Sequence, residues 1–204
     1  MESHLAVLLS LTAVWLAAGW LADGLPRLDH ARTLRRRTGW VLALTLTGLG
    51  LTAAVLVAGL SSAGATAADR AAAGLTLAAL PALVVAACTV RRVRRLRAGA
   101  GALSSAPETP APHGLRASAA HPLIGLPVQV TGLAILPAVI AASTPDLLFG
   151  PGVTGPAITV GVLGVAAIGV RHALRHNRLV ERAAPARPAP ARPASARAAG
   201  PLHV

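Results

Sequence analysis

The residues able to do chemistry in this 204-residue chain are few and scattered. His172 and His176 stand four apart, which puts them on one helical face, the arrangement of a two-histidine metal site. Arg171, Arg175 and Arg178 surround them, and that positive charge opposes a cation, so no metal is expected. Cys88 is the single cysteine; it has no internal disulfide partner and reads as a small buried apolar residue. There is no G-x-S-x-G, H-E-x-x-H, P-loop or paired-cysteine motif. With no nucleophile beside an orienting base, the expectation is a protein that is not an enzyme and needs no cofactor. What remains is Gln129, the one strongly polar residue inside a long apolar run. With Thr131, and with Thr45 on another run, it is the candidate intramembrane polar contact.

The elements that must position these residues are five apolar runs at about 4–22, 39–60, 71–90, 122–143 and 154–170. A bilayer core of about 30 Å takes roughly 20 helical residues at about 1.5 Å each. Apolar residues make up 54% of the chain and charged residues 13%, against the roughly 25% charged that soluble domains carry. Aromatics amount to three Trp and one Phe, too few for an ordinary soluble core. The expected fold is all-α: a polytopic transmembrane bundle over 1–182 with about five spans, followed by a cytoplasmic tail. The first run reads as an uncleaved span and not as a secretory signal. No Arg precedes it, and Trp20 occupies the −3 position of the one plausible cleavage site.

The net charge of +12 suggests nucleic acid until the arginines are set against the runs. Eighteen of the 19 follow the first, third and fifth runs; the connections after the second and fourth hold only Arg70. That partition places the N-terminus outside and the C-terminus in the cytoplasm. Arg35, Arg36, Arg37, Arg91, Arg92, Arg94, Arg95 and Arg171 abut span ends and read as anchors at the lipid interface. Their expected partner is a bilayer with anionic headgroups, which attracts each cation by about 1 kcal/mol, and not nucleic acid. The absence of Lys and the Ala, Gly, Pro and Arg bias resemble high-GC bacteria, so the expected location is a bacterial plasma membrane.

Residues 98–120 and 183–204 are small, Pro-rich and poor in large apolar groups, which predicts a flexible cytoplasmic loop and a disordered tail. The apolar outer segment 144–153 predicts an interfacial loop. Residues 47–56 align with 131–140, and 85–92 with 165–172, which suggests a duplicated in–out–in hairpin of parallel sense. Small residues at four-residue spacing mark helix-packing seams: Gly50, Ala54 and Ala58 on the second run; Gly74, Ala78, Ala82 and Ala86 on the third; Ala134, Ala138 and Ala142 on the fourth; Ala157 and Gly161 on the fifth. Pro81, Pro127 and Pro137 lie inside spans and predict static bends. The midspans hold no ionisable residue, which disfavours an ion-coupled transporter. Two functions fit: a non-catalytic accessory or scaffold subunit that packs against a membrane protein partner or a second copy, and a small transporter or channel for a neutral or apolar solute.

Overall fold

The computed structural model describes residues 2–61, 67–106, 108–143 and 154–183. The outer segment 144–153 lies outside the described residues, as does the tail beyond Ala183. The described chain is 91% helix and has no strand. Its helices are α1 (Glu2–Gly24), α2 (Ala31–Ser61), α3 (Ala67–Val84), α4 (Val90–Ala102), α5 (His113–Ala119), α6 (Pro122–Ser143) and α7 (Thr154–Ala183). Four stretches among the described residues are long and apolar enough to cross a membrane: Leu5–Arg27, Ala31–Ser61, Ala71–Ala102 and His113–Ile140. α7, which carries the run 154–170, is a fifth helix of comparable length.

The seams alternate three- and four-residue steps. α1 buries Leu8, Leu11, Trp15, Ala18 and Ala22, and the 3-10 turn after it continues the seam with Leu25; α2 buries Leu34, Thr38, Val41, Thr45, Gly48 and Thr52; α3 buries Ala71, Leu75, Ala78 and Ala82. A mean step of 3.5 residues holds one stripe against a neighbour, as in a left-handed coiled coil. A constant step of four drifts by about 40° each time, because a turn takes 3.6 residues. That drift explains how the small-residue stripes fall. Ala78 and Ala82 are buried, but Ala86 is exposed and the seam passes to Val85 and Thr89 in a π-helical turn, Val85–Thr89. Gly50, Ala54 and Ala58 all lie on the exposed side of α2. Gly161 of α7 is exposed as well, Ala134 and Ala138 pack on the core, and the side chains of Ala142 and Ala157 lie outside the described residues.

Outside the seams the large apolar side chains point away from the bundle. Leu60, Leu80 and Leu83 are among those exposed, Leu60 at 88% of its surface. Such a surface is unstable in water and stable in lipid. Trp20 and Trp40 are also exposed, each close to an Arg cluster, where amphipathic rings sit at a membrane–water interface. α6 is the central helix. It packs on α1, α3 and α7, and Ile124, Val128, Thr131 and Ile135 are buried along it.

Two cores are stacked along the bundle. The first joins Trp15, Leu75, Ala78, Val85, Val128 and Ile135. The second, at the Arg-rich end, joins Leu25, Leu34, Val41, Val93, Leu96, Ala100, Ala111, Ala119 and Ile124. The helices reach it because they outrun the bilayer; at about 1.5 Å per residue, the 31 residues of α2 span about 46 Å. This second core takes in part of the segment 98–120. α4 continues to Ala102 and presents Val93, Leu96 and Ala100 on one face, so that face must be covered. The chain doubles back to cover it. The N–H groups of Ala31 and Ala111 donate to the carbonyls of Thr109 and Asp29 at 3.0 and 2.6 Å, beside an isolated bridge between His30 and Pro110. α5 then lays Ala117 and Ala119 against the bundle. Small side chains suffice because the backbone approaches closely, which composition does not reveal.

Two glycines test the seams. A Cβ on Gly74 would lie 2.5 Å from Ala138 Cβ, whereas one on Gly50 would meet nothing within 4 Å. Alanine raises helix propensity by about 1 kcal/mol at either position. Gly50→Ala is therefore expected to hold or raise the midpoint of thermal unfolding in detergent. Gly74→Ala is expected to lower it, since overpacking costs about 1–3 kcal/mol. Equal shifts for the two variants would remove the α3–α6 contact from the fold.

Candidate functional site

Polar groups inside the bundle are few, and nearly all are consumed by the fold. The hydroxyls of Thr38, Thr45 and Thr52 donate to the carbonyls of Leu34, Val41 and Gly48 one turn back, at 2.9, 2.8 and 2.7 Å. Thr131 does the same, donating its hydroxyl at 2.8 Å to Pro127 O within α6. Other polar groups reach a neighbouring helix. The Trp15 indole N–H donates to Thr52 Oγ1 at 3.3 Å. Thr89, in the π-turn, donates its hydroxyl to Leu123 O at 2.7 Å. That carbonyl is the one left without its helical donor by Pro127, four residues on. The acceptor that Pro127 frees is thus satisfied.

A polar constellation lies at the Arg-rich end, between α1, α6 and α7. Gln129 Nε2 donates to Gly19 O on α1 at 3.4 Å, a long bond, and Gln129 Oε1 lies 3.0 Å from His172 Nε2. An amide oxygen only accepts, so Nε2 carries the imidazole hydrogen in this pairing. Two glycines make the room. A Cβ on Gly125 would fall 2.5 Å from His172 Cε1, and one on Gly19 would fall 3.0 Å from Gln129 Cγ. One turn from Gly19, Asp23 receives three arginines. Arg171 Nη2 lies 2.7 Å from Oδ2, Arg175 Nη1 lies 2.9 Å from Oδ1, and Arg27 stands at 3.6 Å. Arg175 Nη1 also donates to Asp23 O at 2.9 Å. Asp23 ends α1, so these cations also meet the negative end of its helix dipole.

His172 lies two residues past the run 154–170, outside the membrane-spanning segment, and is buried. Burial lowers its pKa from the ordinary 6.5; Asp23 opposes the lowering, and Arg175 and Arg171 add to it. The folded chain therefore favours a neutral ring that donates to Gln129.

The structure thus unites Gln129 with residues the sequence reading set aside. His172 and His176 diverge, since His176 Nδ1 faces Ala117 O at 3.1 Å. Asp23 was legible as one of two acids, with Asp29, beside the arginines that follow the first run, and the 171/175 spacing as one face of α7; what was missing was that Asp23 and these arginines meet. The anchoring arginines divide as well. Arg36, Arg91 and Arg94 are exposed, Arg35 donates to Ser104 Oγ at 3.3 Å, and Arg171 is committed to Asp23. The arrangement can hold α7 against α1 and α6. It presents no nucleophile and base in hydrogen-bond contact.

Two measurements probe this clamp. Asp23→Ala leaves Arg171 and Arg175 without their carboxylate and is expected to cost about 1–3 kcal/mol, read as a lower unfolding midpoint in detergent. An unchanged midpoint would show the ion pairs to be idle. For His172 the folded pKa lies below the unfolded one. Its contribution is therefore complete above pH 6.5 and is lost as pH falls through 6.5 toward the lowered folded value. Wild-type protein is expected to lose more stability than His172→Gln between pH 7.5 and pH 5.5.

The chain matches no family model, no curated protein and no solved structure, so its role is read from this geometry.

Proposed function

We propose that this multi-pass membrane protein is a non-catalytic accessory or scaffold subunit that acts by helix packing against a membrane protein partner or a second copy of itself. The observation that carries the reading is the exposed small-residue face of α2. Gly50, Ala54 and Ala58 form a stripe that is exposed among the described residues, and none of these lies within 4 Å of a Cβ at Gly50. In lipid, small residues let another helix approach closely, and that approach drives association. α7 adds room of the same kind, with no described residue within 4 Å of a Cβ at Gly161, Gly164 or Gly169. The transport alternative draws less support, because the intramembrane threonines and Gln129 spend their hydrogen bonds within the bundle.

The membrane is read as a bacterial plasma membrane, with the N-terminus outside and the Arg-rich end in the cytoplasm. The arginine partition supports that orientation, and the exposed Trp20 and Trp40 support an interface at the same end. The hairpin is read as duplicated in parallel. Gly48 and Gly132, which align in the repeat, both pack on Trp15 of α1: a Cβ would stand 2.9 Å from Cε2 at Gly48 and 3.5 Å from Cβ at Gly132. Helix α1 then lies between two related hairpins.

The test is association. With Cys88→Ala as background, Ala54→Cys is expected to crosslink in native membranes to a second copy or a partner, whereas a cysteine at the buried Ala78 is not. Migration as a monomer in blue-native gels, with no crosslink at Ala54 and no co-purifying protein, would overturn the reading.

A further inference from the structure

A cavity of about 480 Å³ opens at the Arg-rich end, where α4, α5, the start of α6 and the end of α7 converge. Its polar wall is Arg92, Arg95, Ser118, His121 and His176. The two imidazoles face each other with ring centroids 5.0 Å apart. Their hydrogens can be assigned from their partners. His121 Nδ1 accepts the N–H of Leu123 at 3.1 Å, so the hydrogen of the neutral ring sits on Nε2 and can be donated. His176 Nδ1 donates to Ala117 O, since a carbonyl only accepts.

The cations of this wall are uncompensated. The four ion pairs among the described residues engage Arg27, Arg116, Arg171 and Arg175, not Arg92 or Arg95. No carboxylate lines the cavity, and Glu181, beside the rim residue Val180, is exposed and joins none of those pairs. Two guanidinium groups and an imidazole N–H around one space form an anion site, and arginine matches phosphate oxygens in pairs. The rest of the wall is apolar. Leu96 and Ile124 belong to the second core and continue the cavity as a greasy floor. Arg92 stands two residues beyond Val90, where the apolar run ends.

We propose that this cavity binds the phosphate headgroup of an anionic phospholipid, with Arg92, Arg95 and His121 on the phosphate and the apolar floor against the glycerol and upper acyl chain. The inference rests on the chain lying in a membrane and not on the accessory role, so the site and the partner can fail separately. It differs from diffuse attraction at the interface in having a location. Basic pockets between transmembrane helices take such headgroups.

The test uses full-length protein in a neutral detergent, with native mass spectrometry and thermal unfolding as readouts. Phosphatidylglycerol is the probe, and phosphatidylcholine and inorganic phosphate are the comparison arms. Phosphatidylglycerol is expected to bind and to raise the unfolding midpoint, while phosphatidylcholine does neither. Arg92→Gln with Arg95→Gln is expected to weaken phosphatidylglycerol at least about tenfold. Arg32→Gln with Arg178→Gln, which removes the same charge from exposed positions outside the cavity, is expected to leave binding unchanged. Arg95→Gln alone, an exposed change, serves if the first pair disturbs folding, and is expected to weaken binding in the same direction. Equal losses in the two pairs, or binding indifferent to headgroup charge, would overturn the site. Saturation by inorganic phosphate as tight as by the lipid would also overturn it, in favour of a free-phosphate pocket.

Discussion

Everything in the bundle is arranged around the indole of Trp15. It is the largest fully buried side chain and shows none of its surface. Gly48 of α2 presses on its ring and Gly132 of α6 on its Cβ, so one side chain on α1 sets the distance to two other helices. Its N–H would be an orphan in hydrocarbon, where an unpaired donor costs several kcal/mol. Thr52 supplies the acceptor while its own hydroxyl hydrogen goes back to Gly48 O. A bulky ring, two absent side chains and one relayed hydrogen bond therefore stand or fall together.

The same economy governs the other polar groups. The threonines of α2 act as small seam residues whose hydroxyls are silenced by their own helix. Thr89 answers the carbonyl that Pro127 frees, so a proline in a span costs no unsatisfied acceptor there. At the Arg-rich end the bundle gathers charge. There Asp23 draws α7 against α1, and His172 and Gln129 occupy the space that Gly125 and Gly19 vacate. α7 is held chiefly at this end, by α5, α6 and Asp23, while Leu163, Val165 and Val170 of its apolar half stay exposed.

The arginines have three fates. Some reach outward, as Arg36 and Arg94 do; some bind within the chain, as Arg35, Arg116, Arg171 and Arg175 do; and Arg92 and Arg95 border a cavity without a carboxylate. A charge count treats all of them alike. Their separation comes from long helices whose Arg-rich ends fold a second small core.

By itself the sequence determined the helical class, the long apolar runs and the gathering of arginine at alternate run ends. These follow from local composition and from the one-dimensional demand that a span be about 20 residues long. It also singled out Gln129 as the polar residue to watch. Only the tertiary structure decided which faces meet. A four-residue count drifts around a helix whose seam runs at 3.5, so Gly50, Ala54 and Ala58 turn outward while Leu34, Thr38, Val41 and Thr45 turn in. Nor could composition show that the segment 98–120 is packed. Its alanines contribute little apolar area each, and they are buried because α4 leaves a face that must be covered. The pairing of Asp23 with Arg171 and Arg175 spans about 150 residues of chain, a distance over which charge and spacing carry no information until the helices are brought together.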